Sequence, residues 1–208
     1  MSTLNRLVIA THNRKKAGEM VQILSDRFPQ LEILTLADFP GAPEPEETGT
    51  TYAENSAIKA NGGAALTGEW SLADDAGLEI DALDGAPGLY SKRFGGEGLP
   101  FPEKIAMILD LLESTPAEKR TARFRCSVAL AIPGRETVDF EATCEGRIAL
   151  APSGNGGFGY DPIFLPNDAP GRTMADLSAQ EKHAISHRGK VLALAGDYLE
   201  RSLPQLSR

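Results

Sequence analysis

The chain has 208 residues, 41% hydrophobic and 24% charged, proportions that fit a soluble globular domain and exclude a mainly disordered, collagenous or membrane-embedded chain. Its 21 Lys and Arg against 29 Asp and Glu leave a formal charge of −8, so the surface as a whole repels nucleic-acid polymers and anionic membranes, and an anionic ligand has to be small and locally held. No apolar run approaches the roughly 20 residues of a membrane span, and the run Leu7 to Ala10 is too short for a secretory signal; a cytoplasmic protein of one domain is expected.

In chain order, Leu7-Val8-Ile9-Ala10 reads as a buried strand, and Ala17, Met20, Val21 and Leu24 then recur at helical spacing. Gly41 to Gly49 is a Pro- and Gly-rich loop and the most acidic window of the chain, with Glu44, Glu46 and Glu47. Thr51-Tyr52-Ala53-Glu54 has the form of a capping box and predicts a helix to about Ala65, placing Asn55 and Lys59 on one face. Ser71-Leu72-Ala73 predicts a short strand that delivers Asp74 and Asp75 at its end, with Gly77 free to turn beyond. Loop signals run from Asp84 to Pro100, and Ile105, Ile108, Leu109 and Leu112 mark an amphipathic helix. Two alternating strands follow, Ala122 to Leu130 and Val138 to Cys144, joined by a turn at Pro133-Gly134. Cys126 and Cys144 lie on them and read as reduced core thiols. A glycine-rich loop, Gly154 to Pro162, precedes Ile163-Phe164-Leu165; a second capping box starts at Ser178, and a closing helix follows Ser186-His187-Arg188-Gly189. No repeat or low-complexity tract interrupts this order, which sums to a mixed α/β domain.

Three clusters could carry chemistry. Thr11-His12-Asn13-Arg14-Lys15-Lys16 lies between a strand and a helix, where unpaired N–H groups and the helix dipole favour an anion. Cations in that place are mildly destabilising by themselves, so three of them make sense if a phosphate chain offsets the repulsion; the same pattern also suits a solvated turn capped by Thr11 or Asn13. Asp74-Asp75 with the Glu44, Glu46 and Glu47 loop could supply the one or two carboxylates that Mg²⁺ takes alongside waters and phosphate oxygens, or could be a solvated acidic turn. Neighbouring strand residues point to opposite sides, so one aspartate faces a ligand while the other bonds backbone or a cation such as Lys59. Phe158-Gly159-Tyr160-Asp161 offers a ring beside glycines that admit a flat ligand, with Lys182, His187 and Arg188 as donors to a base edge; a core aromatic is the plainer reading. His12, His183 and His187 lack zinc-ligand spacing. A basic anion site together with a carboxylate cluster is what Mg²⁺-dependent phosphoryl chemistry requires.

Seven blocks resemble, in order, the inosine triphosphate pyrophosphatases: Thr11 to Lys16, Glu46 to Gly49, Glu54-Asn55 with Lys59-Ala60, Ala73 to Leu78, Gly85 to Ser91, Gly156 to Pro162 and Ser186 to Gly189. The likeness covers roughly Leu7 to Leu199. It implies a homodimeric, Mg²⁺-dependent enzyme that hydrolyses ITP, dITP and XTP to the monophosphate and pyrophosphate, cleansing the nucleotide pool. The implied fold is an elongated mixed β-sheet with flanking helices, a single domain over 1–208 with two lobes around a central cleft that holds the nucleotide. By position, Thr11, His12, Asn13, Arg14, Lys15 and Lys16 take the triphosphate, Asp75 is proton acceptor and metal ligand, and Glu46, or its neighbour Glu47, is the second acidic contact. Ala76 lies against substrate, and Phe158, Gly159, Tyr160, Asp161, Lys182, His187 and Arg188 hold the base. Donors there would accept a 6-oxo group and leave the 6-amino group of adenine unpaired. His12 and Ala76 depart from the glycine and serine often found at those positions, so a hydroxyl contact at the second is lost. The other readings are a pyrophosphatase for other modified nucleotides, or a nucleotide-binding module without turnover.

Overall fold

The apolar start of the chain becomes strand β1 (Arg6–Ile9), in which Leu7, Val8 and Ile9 are fully enclosed. Helix α1 (Arg14–Arg27) follows and buries the stripe Ala17, Met20 and Leu24; enclosing side chains the size of Met20 and Leu24 stabilises by about 1.5–3 kcal/mol each. The computed structural model describes residues 6–43 and 45–202, so Glu44 of the acidic loop lies outside the described residues. Among the described residues six strands form one mixed sheet in the order β2-β1-β3-β4-β5-β6, and the mixed α/β class matches the expectation from sequence. The strands are β1, β2 (Glu32–Thr35), β3 (Trp70–Ile80), β4 (Thr121–Ala131), β5 (Val138–Ile148) and β6 (Phe164–Pro166). The remaining helices are α2 (Tyr52–Thr67), α3 (Phe101–Leu111), α4 (Ala179–Ile185) and α5 (His187–Ser202). Among the described residues, no helix is long and apolar enough to cross a membrane.

Two compact units divide the chain. The first comprises Met1–Asp75, Cys126–Ala142 and Arg188–Arg208. Here β1 pairs in parallel with both β2 and β3, in the register Ile9↔Thr35 and Ile9↔Leu72. Parallel neighbours need crossover helices, which α1 and α2 provide. The apolar cluster Val8, Ala10, Leu36, Ala60, Ala64, Ala73, Ala129 and Ala131 is built mainly of small side chains, so α2 lies close to the strands. A Cβ at Gly63 would collide with the hydroxyl of buried Ser71 and stand 2.8 Å from the Ala10 methyl. Helix α2 ends at Gly68, whose φ of 72° is left-handed and whose N–H closes on the Ala64 carbonyl at 2.9 Å. The second unit, Ala76–Arg125 and Thr143–His187, has a core of larger residues including Leu78, Ile80, Ile105, Ile108, Phe124, Tyr160 and Phe164.

Several local expectations change. Strand β2 is absent from the reading of the sequence. Strand β3 does not stop at Ala73 but runs to Ile80, so Asp74 and Asp75 stand inside a strand and Gly77 is not a turn. Thr51 accepts the Glu54 N–H at 3.1 Å, but the Glu54 carboxylate turns to the N–H and hydroxyl of Thr50, at 2.6 and 2.9 Å, which shifts the capping box by one residue. At Ser178 the reciprocal box forms, with Ser178 N–H donating to Glu181 and Glu181 N–H to the Ser178 hydroxyl. Helix α5 begins at His187 and not after Gly189. Cys126 and Cys144 are buried free thiols, as expected.

Candidate active site

The parallel register of β1 and β3 decides which residues meet in the first unit. Ala10 N–H still bonds the Leu72 carbonyl at 2.8 Å; two residues beyond the Ile9↔Leu72 pair stand Thr11 on one chain segment and Asp74 on the other. The strand-to-helix corner is thereby brought to the aspartates. Asn13 caps α1, its Oδ1 accepting from the N–H groups of Lys15 and Lys16 at 3.1 and 3.2 Å, while its own N–H bonds Thr11 Oγ1 at 3.2 Å. The capping alternative for Asn13 is therefore realised, and two N–H groups of the helix terminus are already engaged. His12 reaches across to the acidic loop, its Nε2 lying 3.0 Å from the Ala42 carbonyl. Arg14 and Lys15 are exposed.

Lys16 Nζ lies 3.3 Å from Asp74 Oδ2. The same oxygen accepts from Arg188 Nη2 at 2.7 Å and Nε at 3.2 Å, and Arg188 Nη1 donates to Glu19 at 2.7 Å. Each guanidinium nitrogen thus faces a carboxylate. Burial pushes the Asp74 carboxyl upward, but Lys16, Arg188 and Lys59 outweigh it and hold the group far below the usual carboxylate range. Asp74 Oδ1 is buried with no hydrogen-bond partner among the described residues.

Asp75 sits in a second, separate set of partners. Its Oδ1 is 3.4 Å from Lys59 Nζ and its Oδ2 accepts from the Asn55 amide at 3.2 Å. Lys59 also donates to Glu47 at 2.8 Å, and Asn55 Oδ1 accepts the Gly49 N–H at 2.8 Å. Helix α2 therefore carries both residues that tie the acidic loop to Asp75. Burial raises the Asp75 carboxyl above its ordinary value; Lys59 and Lys16 oppose the shift, whereas Glu47 and Asp74 add to it. A carboxylate moved toward neutrality is suited to take up a proton. Glu47 is the loop acid drawn into this group, while Glu46 is exposed. Glu19, which lay outside the sequence reading, has a legible signal: it stands three residues after Lys16 on α1, on the same face. Among the described residues, no three His, Cys, Asp or Glu side chains form a metal cage by themselves.

In the second unit the loop Phe158 to Asp161 is held from within. Asp161 Oδ2 accepts from Phe158 N–H at 2.8 Å and from Lys182 Nζ at 2.7 Å, and Lys182 stands 4.7 Å over the Phe158 ring. Gly157, with φ 66°, is required here, because a Cβ would collide with the Asp161 carboxylate. Phe158 and Gly159 are partly exposed and Tyr160 is buried. His187 is also buried, stacked on Phe124 with centroids 4.7 Å apart. Ala76 follows Asp75 on β3 and is partly exposed.

A family model described as the Ham1 family matches residues 7–197. The dITP/XTP pyrophosphatase of Geobacter sulfurreducens is 48% identical over 196 residues, covering 94% of this chain and 97% of that one. The protein of the same description from Geobacillus kaustophilus is 48% identical over 190 residues, covering 91% of each. The solved structure of a HAM1 protein from Coxiella burnetii superposes with a TM-score of 0.83 at 39% identity, over 94% of this chain and 98% of its own.

Proposed function

This chain belongs to the Ham1 family, and from that premise we propose that it is a nucleoside-triphosphate pyrophosphatase for deaminated purine nucleotides, converting ITP, dITP and XTP to the monophosphate and pyrophosphate. The observation that carries the reading is the meeting, within one unit, of Lys16 at a strand-to-helix corner with the buried pair Asp74 and Asp75. The names of the relatives support the substrate class. On this reading Thr11 to Lys16 take the triphosphate, and Phe158 to Asp161, Lys182, His187 and Arg188 take the base; Ala76 contributes backbone. The protein acts as a cytoplasmic homodimer that keeps aberrant purines out of the nucleotide pool.

Magnesium suits this donor set. It binds through one or two carboxylates and completes its shell with water and phosphate oxygens, so two acids suffice where no cage of three exists. Asp75 and an acid of the 46–47 loop would hold it: Glu47 is already beside Lys59, and exposed Glu46 is the alternative. When bound, the ion neutralises charge on the phosphate oxygens. The residues do the rest. Lys16 offsets phosphate charge and is paired with Asp74. Asp75, oriented by the Asn55 amide and made more basic by burial, takes the proton of the water that attacks the α-phosphorus. The P–O bond to the β-phosphate breaks and pyrophosphate leaves. Lys182, fixed by Asp161, offers donors toward a 6-oxo group, and the 6-amino group of adenine finds no acceptor in it.

The test is pyrophosphate release from ITP, dITP and XTP in parallel with ATP, GTP and modified pyrimidine triphosphates, with Mg²⁺ and with EDTA. Metal-dependent release favouring the first three is expected. Preference for another nucleotide refutes the substrate class, and nucleotide binding without release refutes the enzyme.

A further inference from the structure

Lys104 is 1% exposed, yet among the described residues its ammonium donates to no carboxylate. Its ammonium donates to three backbone carbonyls of one loop, Lys92 and Phe94 at 2.9 Å each and Gly96 at 3.4 Å. An ammonium has three donors, so all are used on this loop. A lysine buried against carbonyls alone fixes backbone, because removing it strands three acceptors away from water.

The loop so fixed is joined to the proposed base site. Ser91, next to Lys92, is buried; its hydroxyl donates to the Gly88 carbonyl at 2.6 Å and accepts from Leu78 N–H at 2.9 Å. Its carbonyl accepts the Tyr160 hydroxyl at 2.9 Å. Lys104 also stands 5.9 Å over the Phe101 ring, which meets Tyr160 edge-on with centroids 5.2 Å apart. Two routes, one through backbone and one through rings, lead from Lys104 to Tyr160. Asp161 and Lys182 hold the loop from the other side. All of these residues belong to the second unit.

We propose that Lys104 is a positioning residue for nucleobase recognition: by clamping the 92–96 backbone it sets the place of Tyr160, and with it the loop that meets the purine. The inference rests on assigning Phe158 to Asp161 to the base. Loosening the clamp weakens capture of the base and leaves the chemistry at phosphorus intact.

The experiment compares Lys104→Met, Lys104→Arg, Tyr160→Phe and Phe158→Ala, measuring kcat and KM for ITP and the competitive inhibition constant of inorganic tripolyphosphate, which has no base. Lys104→Met is expected to raise KM by about 10-fold, less than the roughly 100-fold that a displacement of about 1 Å can cost, with kcat and tripolyphosphate inhibition within about twofold of wild type. Lys104→Arg, which keeps charge and donors, recovers part of the loss, and Tyr160→Phe moves KM in the same direction. An unchanged KM in Lys104→Met overturns the proposal, as does a parallel weakening of tripolyphosphate. If Lys104→Met does not fold, Tyr160→Phe decides: a normal KM there overturns it equally. Should Phe158→Ala leave KM unaltered, the base assignment itself falls; should Phe158→Ala raise KM while Lys104→Met does not, only the role of Lys104 is lost.

Discussion

Replacing Arg188 by methionine tests the electrostatic arrangement under the strand-to-helix corner Thr11 to Lys16. Asp74 has no exposed side-chain surface and Arg188 is 3% exposed, so the substitution leaves a buried carboxylate without the two donors that Arg188 gives its Oδ2. Breaking a buried pair from one side costs about 3–5 kcal/mol. Lys16 remains 3.3 Å from the same oxygen, which places the expected loss near the lower end. For a chain of this size each kcal/mol lowers Tm by about 2–4 °C, so a loss of about 3 kcal/mol means a fall of roughly 6–12 °C. The pH dependence has a definite sign. Because the folded Asp74 carboxyl titrates below its ordinary value, its contribution is complete above the usual aspartate pKa of about 3.9 and fades as pH falls through the folded value. In Arg188→Met that contribution shrinks, so the gap between variant and wild type is widest near neutrality and narrows in acid. The companion Asp74→Asn/Arg188→Met removes both charges and recovers part of the loss. Urea unfolding of wild type, Arg188→Met, Asp74→Asn and the double variant at pH 7 and at pH 3 measures the cycle. A cost under about 1 kcal/mol for Arg188→Met, or a gap that widens in acid, would refute this account of the pair, since exposed pairs alone are worth so little.

Asp75→Asn is expected to lower kcat for ITP by about 10²- to 10⁴-fold, the usual worth of a general base, with an unchanged far-ultraviolet spectrum; turnover near wild type excludes Asp75 as the base. In the metal-free protein the Asp75 carboxyl should titrate above the ordinary value of about 3.9, because burial raises it; a titration followed by NMR without Mg²⁺ that places it at or below that value contradicts this. Glu47→Gln should raise the Mg²⁺ concentration for half-maximal rate more than Glu46→Gln does, because Glu47 already stands by Lys59 at 2.8 Å; the reverse order assigns the metal to Glu46. His12→Gly severs the link to the Ala42 carbonyl and should raise KM severalfold, a loss of one ordinary hydrogen bond of about 0.5–1.5 kcal/mol, while wild-type kinetics would show the tether to be idle.

The elements with clean periodicity were legible: α1 through Ala17, Met20 and Leu24, α3 through Ile105 and Ile108, and the full capping box at Ser178. What escaped depended on partners distant in sequence. Strand β3 runs through Asp74 and Asp75 because Lys16, Lys59 and Arg188, from three other elements, neutralise charges that by themselves signal a turn. Arg188, adjacent to His187 in a motif that pointed to base recognition, also pairs with Asp74, 114 residues away. Strand β2 has only partly buried residues apart from exposed Glu32, so its weak apolar signal is completed by parallel pairing with β1. In the candidate site, the types of residue were readable and their division into an Asp74 group and an Asp75 group was not. That division follows from the alternation of side chains along β3 and from which cations α1, α2 and α5 present to them.

The close approach at Gly63 has its own bearing on how this protein tolerates change. One helical turn separates Gly63 from Lys59, the residue that bridges Glu47 and Asp75. A single added methyl at Gly63 has to displace the Ala10 methyl or the enclosed Ser71 hydroxyl, or else the whole helix has to lift. The ammonium would then be withdrawn from two acids by a substitution that alters no charge and removes no donor. The hydrogen atom at Gly63, a position with no functional group of its own, thus helps keep Lys59 in register with Glu47 and Asp75.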